Sequence, residues 1–136
     1  ELSEMRMADT DDPDTSITDA MTQATARAVD VLGIGTILCI SGSGFTIRSM
    51  ARFRPAARIL GLSANERTVR QLTLSWGTEP LHLPEQGDIA LRVAAALEAA
   101  RDRGAVAVGE LVGVLAGTDV RSRSTNVLRI ERVPER

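Results

Sequence analysis

The chain has 136 residues, of which 43% are hydrophobic and 25% charged, with a formal net charge of −2. That length suits a single domain with a proper core, and no apolar run approaches the ~18 residues that a membrane span requires. All 16 basic residues are arginine, which excludes any chemistry needing a Schiff-base lysine or a phosphate-loop lysine.

Aromatic residues are scarce, with two Phe, one Trp and no Tyr, so the core must be built from Ala, Val, Leu and Ile. Scattered arginines with almost nothing to stack on bases also argue against nucleic-acid binding. The single cysteine, Cys39, cannot make an intramolecular disulfide, and no secretory signal pattern opens the chain; both suit a reducing cytoplasm. Charge is unevenly spread. Residues 1–19 hold seven acids (Glu1, Glu4, Asp9, Asp11, Asp12, Asp14, Asp19) against Arg6, while the remainder carries 15 basic and 11 acidic residues.

Residues 1–15 are acidic and lack apolar periodicity beyond Met5 and Met7, which predicts a lead-in or linker before a domain over 16–136. The first residue is Glu1 rather than Met, as in a processed or excised piece. From Ser16 the spacing of Ile17, Met21, Ala24, Ala28 and Val31 predicts a helix, with Ser16 and Asp19 as a capping box and Gly33 as its stop. Thr36 to Ile40 (TILCI) reads as a strand, followed by a short helix over about 46–52 that Arg54-Pro55 stops. Ile59, Leu60 and Leu62 predict a second strand. Asn65 caps a helix with Val69, Leu72, Thr73 and Trp76 on one face, closed by Gly77. Leu81, His82 and Leu83 predict a third strand bounded by Pro80 and Pro84. Asp88 caps the longest helix, with Ile89, Val93, Leu97 and Ala100 inward. Leu111 to Ala116 is apolar throughout, as a strand covered on both faces must be. After a polar loop from Gly117 to Thr125, Val127 to Val133 reads as an edge strand, with Arg129 and Glu131 toward solvent. This order predicts a three-layer α/β domain, mostly parallel through right-handed crossovers, whose last two strands are free to pair antiparallel.

The chemistry concentrates in Ser41-Gly42-Ser43-Gly44-Phe45-Thr46, where a strand turns through small residues into a helix. Free N–H groups and the helix dipole make the start of a helix attractive to anions. Ser41, Ser43 and Thr46 add hydroxyls, and Gly42 and Gly44 allow close approach to the backbone. Competing readings are a plain connection and a dinucleotide fingerprint. The latter is weak, because Ile47 stands at the third glycine's place and the next strand ends in Ser63 rather than an acid. A phosphate cradle fits best. Arg92, in the first turn of the long helix, can lean back toward an anion bound nearby; the alternative is a surface arginine. The loop with Arg121, Ser122, Arg123, Ser124 and Thr125 suits a second phosphate or is simply a solvated turn. His82 and Cys39 read as structural, Trp76 as core, and no metal-ligand cluster is visible in the sequence.

Ser41-Gly42-Ser43-Gly44-Phe45-Thr46, followed by Ala51-Arg52-Phe53-Arg54-Pro55, resembles a stretch of the C-terminal domain of pyruvate kinase. The resemblance continues through Asn65 to Leu72, Trp76-Gly77, Leu91-Arg92-Val93, Leu115-Ala116-Gly117 and Ser124-Thr125-Asn126, and so covers nearly the whole chain. It implies a five-stranded mixed sheet flanked by helices, with the last strand antiparallel to the rest. It implies a regulatory module without catalysis or cofactor of its own, the family's Mg²⁺ and K⁺ chemistry lying in a separate (β/α)₈ barrel. By position, Ser41, Ser43, Gly44 and Thr46 would hold one phosphate of an effector such as fructose 1,6-bisphosphate, Arg92 the other, with Thr118 to Thr125 as effector loop. Subunit contacts in a homo-oligomer are implied as well. Gly42 and Phe45 depart from the family's usual residues, and Arg121 and Arg123 stand where relatives carry glycines, which leaves a bisphosphate, a sugar monophosphate, AMP or no effector open.

Overall fold

The computed structural model describes residues 13–41, 44–52, 56–72, 78–84, 87–116 and 127–135. In chain order its elements are α1 (Pro13–Leu32), β1 (Thr36–Ile40), α2 (Phe45–Arg52), β2 (Arg58–Ser63), α3 (Glu66–Leu72), β3 (Thr78–His82), α4 (Ile89–Asp102), β4 (Leu111–Ala116) and β5 (Val127–Arg132). The strands form one sheet in the order β3-β2-β1-β4-β5. β1 pairs parallel with β2 and with β4, β2 pairs parallel with β3, and β5 runs antiparallel to β4. The expected α/β architecture, with its mostly parallel sheet and reversed last strand, is the observed one.

Alternation along β1 sends side chains into two separate cores. Leu38 and Ile40 join Leu60, Leu62, Val112 and Val114 beneath Val93, Ala96, Leu97 and Ala100 of α4. Ile37 and Cys39 face the opposite way, toward Val29 of α1, Ile47 and Met50 of α2 and Leu72 of α3. One helix therefore covers one face of the sheet and three cover the other. Gly61, central in β2, lets two of those three approach: a Cβ there would stand 3.1 Å from Ile47 and 3.3 Å from Leu72 side-chain atoms.

Helix ends follow their residues. Asp88 accepts a bond from Ala90 N–H at 3.0 Å, and Asn65 Oδ1 accepts from Arg67 N–H at 2.9 Å, so both expected caps are in place. Gly33 closes α1 at φ 67°, with Ile34 N–H donating back to Val29 O at 3.1 Å. That is the six-to-one bond of a Schellman ending, and Val29 and Ile34 are both buried beside it.

Three expectations need correction. α1 is already helical from Pro13, so Ser16 is an interior residue and no capping box with Asp19 exists. The residues that α1 buries fully are Thr18, Thr22, Thr25 and Val29; of the predicted apolar stripe Met21 packs against the core, but Ile17 is 42% and Val31 68% exposed, and Ala24 is exposed as well. The threonines can be buried because the helix itself satisfies two of them, Thr22 Oγ1 donating to Asp19 O and Thr25 Oγ1 to Met21 O. Asp19, counted above with the acidic lead-in, is buried on the same face. Finally, Pro80 lies inside β3 rather than before it; β3 is an edge strand, where a missing N–H can be accommodated. On the other edge, Ile130 is more exposed than Arg129 or Glu131, which reach toward each other at 4.0 Å.

Replacing Gly61 with Val should cost about 1–3 kcal/mol through overpacking against α2 and α3. Denaturant unfolding measures this, and a midpoint equal to wild type would contradict the close approach of those helices.

Candidate functional site

Because β1 to β4 are parallel, their carboxyl ends share one edge of the sheet. The turn after β1 lies there, as do the starts of α2, α3 and α4 and the first residue of β5, Val127, which pairs with Ala116. Strand order reverses at β1: β2 and β3 extend to one side, β4 and β5 to the other. In open α/β sheets ligands bind at such a switch point, outside the carboxyl ends. By that rule the switch point here lies between the end of β1 and the end of β4.

On the β1 side, Ser41 N–H donates to Leu62 O at 2.9 Å, which continues the sheet by one residue. Ser41 Oγ accepts from Gly44 N–H at 3.0 Å, drawing the turn closed ahead of α2. A hydroxyl that accepts one bond still has its own proton to donate. Gly44 adopts φ 84°, in the left-handed region that disfavours a side chain. Its carbonyl accepts from Arg48 N–H at 2.9 Å. Thr46, in the first turn of α2, is buried, and that turn contains no acidic side chain.

Arg92 is 6% exposed, which overturns the surface-arginine alternative. It sits in the first turn of α4, its N–H on Asp88 O at 2.9 Å, and so belongs to the same carboxyl edge on the α4 face. Of the remaining predicted site residues, Gly42, Ser43, Arg121, Arg123 and Thr125 lie outside the described residues, as does the loop Thr118 to Thr125 that carries the last three. Trp76 also falls outside them. Ser41, Gly44, Thr46 and Arg92 are thus gathered at one edge.

One residue escaped the sequence reading. The Arg48 guanidinium lies across Gly44, its terminal nitrogen 2.7 Å from where a Cβ on that glycine would stand, with Thr68 Cγ2 of α3 at 3.2 Å. A signal was available: four residues separate Gly44 and Arg48, one helical turn, and helical side chains lean toward the N-terminus.

The other candidates take structural places. His82 Nε2 is 3.1 Å from Ala64 O at the end of β3. Cys39 is fully buried in β1, and burial pushes its thiol up to about 12, which removes it as a nucleophile. Among the described residues no group of three or more His, Cys, Asp or Glu comes together as a metal site, and no helix is long and apolar enough to cross a membrane.

The fold defines the class: a three-layer α/β domain whose helix starts collect at a switch point of a mostly parallel sheet. The chain belongs to the pyruvate kinase alpha/beta domain family, whose model matches residues 19–131. Similar proteins include the pyruvate kinase of Geobacillus stearothermophilus, 32% identical over 127 residues, covering 93% of this chain and 22% of that protein. The pyruvate kinase of Methylorubrum extorquens is 32% identical over 126 residues, covering 91% and 26%. That of Lactobacillus delbrueckii subsp. bulgaricus is 29% identical over 117 residues, covering 85% and 20%. The chain therefore spans between 20% and 26% of the length of these relatives. A solved pyruvate kinase from Cryptosporidium parvum has the same fold, with a TM-score of 0.76 at 19% identity over 87% of this chain and 23% of that one.

The Cys39 environment makes a prediction with a definite sign. Below pH 9.0, the ordinary thiol value, the thiol is protonated whether the chain is folded or not, and it leaves stability unchanged. Above it the unfolded chain releases its proton first, so Cys39 should lower stability progressively until about pH 12. Denaturant melts of wild type and Cys39→Ala compared between pH 8 and about 10.5 test this; identical pH slopes would contradict it.

Proposed function

We propose that this chain is the regulatory module of a pyruvate kinase, binding a phosphorylated effector on the Ser41–Thr46 turn and supplying contacts between subunits. The parent activity is phosphoryl transfer from phosphoenolpyruvate to ADP in the cytoplasm, with Mg²⁺ and K⁺ in a barrel domain; the module itself carries no catalysis. The observation that bears most weight is the position of the Ser41–Gly44 turn, at the start of α2 and beside the switch point, with Arg92 buried at the same edge. Amides and hydroxyls of the turn would take one phosphate, and Arg92 with Arg121, Arg123 and Thr125 a second. Sugar bisphosphates, sugar monophosphates and AMP all share this chemistry.

Subunit contact has its own support. α1 turns Ile17, Ala24 and Val31 outward, and on the same side of the sheet β5 leaves an unpaired strand edge and Ile130 38% exposed. Apolar side chains aligned along a helix and beside an open strand edge are what association covers. An effector that binds one quaternary arrangement more tightly than another shifts the population toward it. The contact between α1 and α2 gives a short route from the turn to that outer face. The same outward face also favours a second reading, an oligomerisation module that binds no effector.

Two measurements separate these readings. Calorimetric titration of the folded chain with fructose 1,6-bisphosphate, glucose 6-phosphate and AMP should show saturable binding of at least one. Ser43→Ala combined with Arg92→Ala should weaken that binding by a few kcal/mol, at about 1.5–3 kcal/mol per charge-assisted bond. No heat from any of the three would eliminate the effector role. For the contacts, Ile17→Glu with Val31→Glu should reduce self-association in sedimentation experiments while leaving the melting temperature within a few degrees; unchanged sedimentation would remove that part.

A further inference from the structure

The helices of this domain are not equally held. α2 and α3 close on the sheet at Gly61, where an added Cβ would stand 3.1 Å from Ile47 and 3.3 Å from Leu72. α4 is fixed at both ends. Asp88 caps its start, and near its finish Arg101 Nη1 donates to Pro134 O and Glu135 O, each at 3.1 Å, tying it to the segment after β5. α1 lies against β4 and β5, on the face of Ile37 and Cys39. Gly113 of β4 belongs to that face, since Val112 and Val114 on either side of it point to the α4 core. It is buried, yet beyond its chain neighbours a Cβ built on it would find no heavy atom of the described residues within 4 Å. Carbon atoms in contact sit about 3.5–4.0 Å apart, so the space on the α1 side of β4 admits at least a methyl group. Gln23 of α1 gives a second, independent sign of incomplete seating: its Nε2 is buried with no hydrogen-bond partner among the described residues, a costly state for an amide. Thr22 and Thr25 direct their hydroxyls to carbonyls of α1 itself, so those bonds travel with the helix instead of tying it to the sheet.

We propose that α1 is the movable layer of the domain, pivoting on its Gly33 end and settling toward β4 into the space at Gly113 while α2, α3 and α4 keep their places. The pivot is where Ile34 N–H returns to Val29 O and both side chains are buried. In the settled position the helix gains contacts over Gly113 and releases the Gln23 amide to a partner or to water; in the observed one it keeps its present packing. Such a balance leaves two seatings of similar free energy, as elements that shift between discrete packed arrangements require. Ile17, Ala24 and Val31 move with the helix, so its seating sets where the exposed apolar line stands relative to the open edge of β5. The bearing on assembly rests on the subunit-contact reading above; the motion itself does not.

The test is relaxation-dispersion NMR on the 136-residue chain and on Gly113→Ala, at two protein concentrations, with thermal melts alongside. Wild-type amides over residues 18–28 should show concentration-independent microsecond-to-millisecond exchange that amides over 93–101 lack, with minor-state Cα shifts that remain helical. Gly113→Ala, which puts a methyl in the space, should remove most of that exchange and raise the melting temperature by a few degrees. The loss of exchange sets this apart from the stabilisation that a glycine-to-alanine change brings through the unfolded chain, which leaves motion within the folded state untouched. No dispersion confined to α1, or dispersion that Gly113→Ala leaves unchanged, would overturn the proposal. Minor-state shifts of unfolded chain would assign the exchange to fraying and overturn it as well, and a lowered melting temperature would show that the space does not exist. Sedimentation of the variant with Ile17→Glu and Val31→Glu tests the subunit reading separately, so its failure leaves the motion standing.

Discussion

Everything at the carboxyl edge is set by the burial of β1 on both faces. Thr36–Ile40 has no exposed residue, and its two parallel neighbours, β2 and β4, leave it no open side. A strand enclosed in this way cannot slip by one residue, because Ile37 and Cys39 would exchange cores with Leu38 and Ile40 and meet helices spaced for different side chains. With β1 fixed, right-handed crossovers carry α2 and α3 over one face toward β2 and β3, and α4 over the other toward β4. The chain thus diverges at the end of β1, and the Ser41–Gly44 turn stands at that divergence for topological reasons before any chemistry is considered.

Much of this was legible in the residues. Continuous apolar runs marked β1 and β4 because parallel strands covered on both faces have no polar side to show. The caps Asn65 and Asp88 were readable because a short polar side chain before a periodic segment has a defined partner, the N–H groups of the first turn. α4 was readable because its inward residues Val93, Leu97 and Ala100 repeat at helical spacing and the face they contact is wholly apolar. The turn at residues 41–46 announced itself through glycines and hydroxyls between a strand and a helix, and Ser41, Gly44 and Thr46 stand where that pattern puts them.

What was not legible has physical causes. Periodicity identifies an apolar stripe but not which of its members face inward, and in α1 Met21 packs on the core while Ile17, Ala24 and Val31 face outward. A threonine whose hydroxyl returns to its own helix presents mainly its methyl to a neighbour, so Thr22 and Thr25 pack as small apolar groups and the hydropathy pattern misreads them. Pro80 looked like a boundary because the rule against proline in strands concerns central strands, and the sequence does not say which strand lies at an edge. Arg92 and Arg48 illustrate the same difficulty with charge. An arginine read in one dimension looks solvated, whereas burial of Arg92 follows from the position of α4 over the sheet, and the contact of Arg48 with Gly44 follows from the left-handed turn one helical turn earlier.

The burial of threonines in α1 changes how that helix is held and what it can do. Its firm attachment is at the carboxyl-terminal end, where Val29 and Ile34 are buried together through the Gly33 ending; each such side chain is worth about 1.5–3 kcal/mol when fully buried. Toward its amino end the buried positions are Thr18, Asp19 and Thr22, which contribute less transfer free energy per residue. At roughly 1.5 Å per residue these lie 10–16 Å further along the helix. The same helix carries Ile17, Ala24 and Val31 outward at seven-residue intervals, a line of about 21 Å along one side. Such a helix is anchored by apolar packing at one end and by satisfied hydroxyls at the other. Its exposed apolar line of Ile17, Ala24 and Val31 lies opposite the buried threonines, so the interior of this domain and its outer surface meet in a single element.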